Sequence, residues 1–264
     1  MIARDELSGR EVVYAPGRAR RPGAKRGEIE PPSEQELADC PFCAGREDRT
    51  PPEVHREGEP WTVRVVPNLF PAFERQEVVV SSPRHVRSFA ELTQEETDAI
   101  AHAWAARAQT GTYMHALLNE GREAGASLPH SHTQLVFLDG PPPAVRGERG
   151  LSLDGGVVLE RDGLVLLCPR VSRLQYELLI APAEPESGAF ASALLPAAAA
   201  LLAEGIRRLH AVEGPVPLNA WLHDAEHWHI EVLPRLSVLA GIELGAGIYV
   251  NALPPHEAAA RLRG

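Results

Sequence analysis

The sequence predicts an α+β fold in which two half-units, each with an antiparallel sheet and a flanking helix, join into one larger sheet. One observation is an order of two strands, a helix and two strands that occurs twice along the 264 residues. A second is that HWHIEV, at His227 to Val232, echoes HSHTQL, at His130 to Leu135. An internal duplication is the simplest explanation. We place the half-units at residues 1–145 and 146–264.

The first half-unit begins with a loop-rich lead-in. Residues 1–60 are polar, rich in proline and glycine and without sustained periodicity, which predicts extended chain with one short strand at Glu11 to Tyr14. A capping box, TQEE at Thr93 to Glu96, predicts a helix that ends near Gln109. The other strands predicted in this half are 62–66, 78–82, 113–118 and the stretch that ends at Leu138.

The second half-unit repeats this order after a polar connector at residues 146–155. Its predicted strands are 164–168, 176–181, 216–222 and 228–233, and its predicted helices are 192–211 and 255–262. Glycines at positions 241, 245 and 247 interrupt the segment before the last helix. The two halves therefore predict matching sheets.

Composition excludes several functional classes. A net charge of -10 and a pI near 5.6 argue against a general nucleic-acid-binding protein. The absence of an apolar run of about 18 residues and of a signal peptide predicts a cytoplasmic protein without a membrane partner. An anionic substrate would need a local cluster of positive charge. The basic turn at Gly17 to Pro22, GRARRP, is the best candidate.

The stretch Asn119 to Leu138 carries the densest group of reactive side chains. His130, His132 and Gln134 are spaced two apart, so they share one face of a strand. Before them, Gly125 to Ser127 forms a small-residue turn that lets backbone and hydroxyl approach a bound group. An imidazole can act as nucleophile, base or metal ligand near neutral pH. The alternative is a pair of half-exposed strand histidines.

Two groups of residues have the composition of metal sites. Cys40 and Cys43 have the spacing of structural zinc ligands, and the best candidates to complete the set are His85 and His130. The alternative is a redox-active or unbound cysteine pair. A second group, containing His223, His229 and Glu231, suits zinc or iron, against the alternative of a surface histidine-rich loop.

If His130 is a metal ligand, His132 remains as the nucleophile. Ser127 and Gln134 are then positioned to bind phosphoryl oxygens. A carboxylate in place of Gln134 would repel a phosphate, whereas a neutral amide suits a covalent nucleotidyl-histidine that must wait for an acceptor other than water.

Several motifs in sequence resemble the galactose-1-phosphate uridylyltransferase family of the histidine-triad superfamily. They are CPFC, TPPE, RVVPNLFPAF, SPRH, NEG…GASLPHSHTQ and HWHIEVLPRL, which occur in the family's order and cover nearly the whole chain. The resemblance implies two fused histidine-triad-like half-units. It also implies a role in galactose metabolism, with a nucleotide-sugar and a sugar phosphate as substrates, and formation of a homodimer.

The resemblance also implies roles for individual residues. His132 would attack a UDP-hexose to give a uridylyl-histidine, and a second hexose 1-phosphate would take the UMP group in a ping-pong cycle. The proposed site residues are Gln134 and Ser127 at the phosphoryl oxygens, Arg18, Arg21, Asn68 and Asn119 as nucleotide contacts, Glu243 at the hexose, Cys40, Cys43, His85 and His130 as structural zinc ligands, and His223, His229 and Glu231 near a second zinc or iron site.

Two departures from the family pattern keep other functions open. Ser131 replaces the usual proline between the two histidines, which is a feature associated with sugar-nucleotide phosphorylases. Gln76 stands where a histidine is common. The first alternative is therefore an ADP-sugar phosphorylase or adenylyltransferase with phosphate as acceptor. The second is a nucleotide-binding regulatory protein without catalytic activity.

Overall fold

The computed structural model describes residues 2–20 and 31–264. The strands are Ile2–Arg4 (β1), Glu11–Tyr14 (β2), His55–Glu57 (β3), Val63–Pro67 (β4), Gln76–Val80 (β5), Tyr113–Glu120 (β6), His132–Leu138 (β7), Gly155–Arg161 (β8), Leu164–Pro169 (β9), Leu178–Pro182 (β10), Leu218–His223 (β11), His229–Pro234 (β12) and Ile248–Asn251 (β13). The helices are Glu34–Asp39 (α1), Gln94–Ala108 (α2), Pro143–Arg146 (α3), Leu195–Glu213 (α4), Gly241–Ala246 (α5) and Pro255–Arg263 (α6). The predicted α+β class is confirmed.

Ten strands form one sheet in the order β3-β4-β5-β7-β6-β11-β12-β10-β9-β8. Every neighbouring pair in it is antiparallel. The order reads the same outward from the central β6–β11 pair, so five strands of one half match five of the other. We propose on this basis that the half-units divide at residues 145 and 146, within α3.

The α-helices α2 and α4 pack together on one face of the large sheet. Helix α2 begins at a capping box in which Thr93 and Glu96 exchange side-chain and backbone hydrogen bonds, as the sequence predicts. The Trp104 indole donates a 3.0 Å hydrogen bond to Thr133, which ties α2 to β7. Buried apolar side chains from both halves form one continuous core under these helices. The other face of the sheet carries two smaller apolar clusters together with polar side chains.

The lead-in contains more regular structure than the sequence predicts. Strands β1, β2 and β13 form a separate three-stranded sheet, and β3 joins the edge of the large one. Helix α1 begins at Ser33, whose hydroxyl accepts a hydrogen bond from the Glu36 amide. Six residues are too few for a helical period to stand out, which is why the sequence pattern misses α1.

Within the described residues, no helix is both long enough and apolar enough to cross a membrane.

Glu120 is a buried carboxyl on the core side of β6. Its Oε2 accepts a 2.9 Å hydrogen bond from the Phe89 amide, and the His210 Nε2 atom lies 3.8 Å from its Oε1. Burial raises the pKa of Glu120 to about 7 and lowers that of His210. Folding therefore favours the protonated carboxyl.

We expect this carboxyl to make stability depend on pH. Its contribution to the free energy of unfolding is fully present below the unfolded pKa near 4.5 and is lost as pH rises through about 7. Glu120→Gln keeps the hydrogen-bonding shape and cannot ionise. Between pH 5 and pH 8, wild type should lose about 1–3 kcal/mol more than the variant in denaturant unfolding. Parallel pH profiles for the two proteins would contradict this assignment.

Candidate active site

The four predicted zinc ligands come together beside the start of β7. The Cys40 Sγ lies 3.3 Å from the His130 Nδ1, and the Cys43 Sγ lies 3.3 Å from the His85 Nδ1 and 3.7 Å from the His130 Nδ1. Sulfur and nitrogen ligands of one tetrahedral zinc ion are about 3.5 Å apart. All four donor atoms lie within 4.8 Å of one another, so the cluster fits a metal ion.

The far sides of both histidine rings are fixed in the way that metal ligands require. The Nε2 of His85 lies 2.8 Å from a Glu36 carboxylate oxygen, and the Nε2 of His130 lies 3.0 Å from the Ser82 carbonyl. A carbonyl carries no proton, so the His130 Nε2 donates and its Nδ1 presents a lone pair. Such outer contacts orient metal-binding imidazoles.

The thiols also favour a cation at this point. Burial, together with the neighbouring Cys40, raises the pKa of the Cys43 thiol to about 11. A thiolate would therefore form here only with a positive charge beside it, as metal binding provides.

His132 has the tautomer of a nucleophile. Its ring is buried, and its Nδ1 lies 2.8 Å from the His130 carbonyl oxygen. Because the carbonyl can only accept, Nδ1 carries the proton and Nε2 is left with its lone pair. Nε2 makes no hydrogen bond to the described residues. Burial lowers the pKa of His132, which keeps the ring neutral and able to attack.

The cysteine loop also contacts the predicted nucleophile, His132. The Phe42 ring, between the two cysteines, packs edge-on against His130 with the ring centroids 5.9 Å apart and against His132 at 5.4 Å. Metal ligation of Cys40 and Cys43 would therefore hold the ring that supports the nucleophile.

The predicted phosphoryl contacts occupy the turn and strand around His132. Gln134 lies two residues further along β7 and is half-buried. Its Oε1 accepts a 2.6 Å hydrogen bond from the Gln76 Nε2. Ser127 lies in the turn before β7 with an exposed side chain. Ser131 has a buried hydroxyl without a hydrogen-bond partner in the described chain. Strand alternation places it on the opposite face from His132, so its side chain does not face the nucleophile.

Asn119 is also brought to this face of the sheet. It is the penultimate residue of β6, beside β7, and its Oδ1 accepts a 2.8 Å hydrogen bond from Asn219 of β11. Gly125 has a φ of 93°, and a Cβ added there would lie 3.9 Å from the Asn119 Nδ2. The glycine therefore supplies a left-handed turn and leaves open space next to this amide.

The remaining predicted contacts lie on other elements. Asn68 begins the loop between β4 and β5. Arg18 lies in the 3-10 turn Pro16–Arg20 after β2, with an exposed side chain, and Arg21 is outside the described residues. Glu243 lies in α5, where its carboxylate accepts from the Ala240 amide. No hydrogen bond or ion pair between described residues connects Arg18 or Glu243 to His132.

A second cluster lies on the same sheet in the C-terminal half. Its members are Glu148, His223, His229 and Glu231, whose ligand atoms lie within 4.8 Å of one another. The His229 Nδ1 lies 3.0 Å from the His227 carbonyl and donates to it, so Nε2 is the ring nitrogen that faces the cluster. That Nε2 is buried, 3.6 Å from both the Glu148 and the Glu231 carboxylates, without a hydrogen bond among the described residues. Two imidazoles and two carboxylates fit a zinc or iron ion.

Glu148 is the member that the sequence does not reveal. It lies in the segment predicted as a polar connector, where charged residues are expected on the surface. Its carboxylate contacts the His223 Nδ1 at short range. Only the folded arrangement brings this segment onto β11, so no spacing in the sequence signals the contact.

The histidines of the two halves are held by the same backbone contacts. His227 donates from Nε2 to the Pro182 carbonyl at 2.9 Å, as His130 does to Ser82. His229 donates from Nδ1 to the carbonyl two residues before it, as His132 does. The halves differ in the next residue on the strand face, which is Gln134 in one and Glu231 in the other.

We expect purified protein to carry a metal ion at each cluster. His223→Ala removes a ligand of the second cluster only, so elemental analysis should show about one equivalent less metal while the cysteine cluster keeps its ion. His227→Ala is the matched control, because His227 lies beside the cluster and bonds to a carbonyl instead. An unchanged metal content in His223→Ala would contradict a site at these residues.

The fold of the chain is similar to that of a uridylyltransferase, and part of its sequence matches a model of the galactose-1-phosphate uridyl transferase family. Residues 71–141 match the family model described as galactose-1-phosphate uridyl transferase, N-terminal domain. This match covers the loop before β5, helix α2 and the strand that carries His132. The resemblance stated from the sequence motifs is thereby confirmed.

Among curated proteins, the chain is similar to ADP-glucose phosphorylase from Arabidopsis thaliana, with 26% identity over an alignment that covers 99% of this chain and 92% of the relative. The crystal structure of that type of enzyme from Arabidopsis thaliana with bound ADP-glucose has a TM-score of 0.84 and 24% identity, covering 100% of this chain and 98% of the other. A uridylyltransferase structure has a TM-score of 0.75 and 24% identity, covering 99% and 97%. These structural matches establish the shared fold.

Proposed function

We propose that the chain is a nucleotidyltransferase that works through a covalent nucleotidyl-His132, with an ADP-sugar as donor and inorganic phosphate as acceptor. The observation that carries the proposal is the fixed tautomer of His132, whose Nδ1 proton is held by the His130 carbonyl. A neutral imidazole with an available Nε2 lone pair is a nucleophile at neutral pH. The neighbouring amide of Gln134 can donate to a phosphoryl oxygen without adding negative charge.

The reaction proceeds in two displacements at the α-phosphorus. His132 Nε2 attacks this atom, the phosphorus–nitrogen bond forms, and the bond to the sugar phosphate oxygen breaks, which releases sugar 1-phosphate. An oxygen of inorganic phosphate then attacks the same phosphorus and breaks the phosphorus–nitrogen bond. The products are ADP and the free imidazole. Amide and hydroxyl donors stabilise the charge on the phosphoryl oxygens in both steps.

The choice of an ADP-sugar and phosphate is supported by the 26% identity to ADP-glucose phosphorylase across 99% of the chain. The UMP exchange between UDP-hexose and hexose 1-phosphate that the sequence motifs favour has no support beyond the family match at residues 71–141. It remains the second candidate function.

The remaining predicted residues have proposed roles in metal binding or in substrate contact. The cysteine cluster would hold a structural zinc ion that anchors the Phe42 loop next to His132. Asn68 and Asn119 would contact the nucleotide, and Ser127 the phosphoryl group. Arg18, Arg21 and Glu243 are kept as proposed substrate contacts from the motifs alone.

Product analysis tests the acceptor and the base together. Purified protein is incubated with ADP-glucose or UDP-glucose, each with inorganic phosphate or with galactose 1-phosphate. We expect glucose 1-phosphate and ADP from the first donor with phosphate, and much slower turnover in the other three mixtures. Efficient exchange of UDP-glucose with galactose 1-phosphate would instead establish the second candidate function. No turnover in any mixture would contradict both.

A further inference from the structure

Three amide side chains of the predicted site, those of Gln134, Asn119 and Asn68, use their polar atoms in the same way. An amide presents a carbonyl acceptor on one side and two N–H donors on the other, so its orientation decides what a ligand meets. In Gln134, Asn119 and Asn68 the carbonyl oxygen is occupied by a donor of the protein itself. The NH₂ groups of these three amides make no hydrogen bond within residues 2–20 and 31–264. The N–H donors of these amides are therefore free to bind a ligand.

The orientation of Gln134 is set by Gln76, its diagonal neighbour across the β5–β7 pair. The Ala72 amide donates a 3.0 Å hydrogen bond to the Gln76 Oε1. A backbone amide can only donate, so the Gln76 oxygen must face Ala72 and its NH₂ must face Gln134. The Gln134 Oε1 then accepts the hydrogen bond from the Gln76 NH₂ at 2.6 Å, and the NH₂ of Gln134 makes no hydrogen bond to a described residue.

The orientation of Asn119 is set from the other half of the chain. Arg235 donates from Nη1 to the Asn219 Oδ1 at 3.0 Å, and a guanidinium has no acceptor. The Asn219 NH₂ therefore faces away from Arg235. It donates at 2.8 Å both to the Asn119 Oδ1 and to the Ala124 carbonyl. Turning Asn119 around would bring two NH₂ groups together and leave a hydrogen unpaired, at a cost of about 1–3 kcal/mol.

We propose that Gln76, Asn219 and Arg235 are positioning residues that lock Gln134 and Asn119 with their NH₂ groups toward the phosphoryl groups of the bound nucleotide-sugar. This inference rests on the proposed nucleotidyl transfer. It explains how a chain with a net charge of -10 can turn N–H donors toward an anion. Each chain of contacts ends at a group that can only donate, the Ala72 amide or the Arg235 guanidinium, so neither amide is free to reverse.

Two nearly isosteric substitutions reverse these amides. In Asn219→Asp the carboxylate still accepts from Arg235 but cannot donate, so Asn119 must turn its NH₂ inward and its carbonyl outward. In Gln76→Glu the carboxylate accepts from Ala72 and makes Gln134 turn in the same way. We expect the rate of nucleotidyl-His132 formation from ADP-glucose to fall about 10- to 100-fold in each variant. The exposed Gln109→Glu adds the same charge outside the site and should leave the rate unchanged.

Double variants separate positioning from a general electrostatic or structural effect. If Asn219 acts through Asn119, Asn219→Asp should change the rate less than twofold when Asn119 is already alanine, and Gln76→Glu likewise when Gln134 is already methionine. Full additivity in both pairs would overturn the proposal. So would wild-type rates in both single variants.

A binding experiment keeps the inference testable apart from turnover. In isotope-labelled protein, ADP should shift the side-chain NH₂ resonances of Asn119 and Gln134, identified by their loss in Asn119→Ala and Gln134→Met. The shifts should disappear in Asn219→Asp and Gln76→Glu respectively. If wild type forms no nucleotidyl-histidine but shows these shifts, the proposed reaction fails and the amide positioning stands. If ADP shifts neither resonance in wild type, the positioning is overturned.

Discussion

Replacing His132 with alanine should lower nucleotidyl transfer by about a thousandfold or more, since the covalent intermediate cannot form without Nε2. The fold should survive, because the ring packs against Phe42 and the sheet surface and not within the central core. Nucleotide binding should also be largely retained, since the proposed amide and hydroxyl donors remain. The measurement is the rate of glucose 1-phosphate release together with the ADP affinity.

The matched control is His102→Ala, which removes an exposed imidazole from α2. It should keep wild-type turnover. Wild-type turnover in His132→Ala would contradict the covalent mechanism. If the protein's biological role were also unimpaired, the alternative of a nucleotide-binding protein without catalytic activity would be favoured.

Replacing Cys43 with serine should produce the largest loss of stability. The substitution removes one of four ligands, and the binding free energy of a structural metal contributes directly to folding. We expect the Tm to fall by roughly 10 °C, because each kcal/mol shifts Tm by about 2–4 °C in a chain of this size. Chelation of wild type should have a similar effect. Turnover of the protein that remains folded should fall less, since Cys43 acts on His132 indirectly, through Phe42 and through His130.

Cys168→Ala serves as the control for loss of a thiol, because Cys168 is a buried cysteine outside both clusters. Elemental analysis should show loss of metal in Cys43→Ser and none in Cys168→Ala. An unchanged melting temperature for Cys43→Ser, or after chelation, would contradict a structural metal at this cluster.

Much of the fold follows from local patterns. The capping box at Thr93 fixes the start of α2, and the Glu11–Tyr14 strand has the predicted bounds. Strand β8 was not predicted, because Gly155–Arg161 begins with two glycines and ends with charged residues, which hides its alternation. Strand β13 was not predicted either, since it follows a glycine-rich segment and pairs in parallel with β2, far away in the sequence.

Local sequence patterns likewise predict only part of the candidate site. Cysteine spacing and strand alternation are enough to propose Cys40, Cys43 and His132 as site residues. The contributions of Glu148 and Asn219 depend on which strands become neighbours across the two halves, and no local pattern carries that information. The orientation of the Gln134 and Asn119 amides is still harder to predict from sequence, because it depends on the last donor in a chain of hydrogen bonds.

The duplication gives each half a distinct task. Both halves hold a strand histidine by the carbonyl two residues earlier, so Nδ1 carries a proton in both rings. The N-terminal half follows it with Gln134, whose amide would donate to the anion in the proposed reaction. The C-terminal half follows it with Glu231, whose carboxylate would repel a phosphate and suits a cation. One residue on the strand face thus distinguishes the proposed phosphoryl site from the proposed metal site.

The covalent intermediate itself is the most direct test. Protein is incubated with ADP-glucose radiolabelled in the α-phosphate, denatured under alkaline conditions that preserve phosphohistidine, and digested to locate the label. We predict label on the peptide that contains His132, and its complete chase into ADP by inorganic phosphate. Label from UDP-glucose alone, chased by galactose 1-phosphate, would replace the proposed substrates with those of a uridylyltransferase. Label on another residue, or none from either donor, would contradict nucleotidyl transfer through His132.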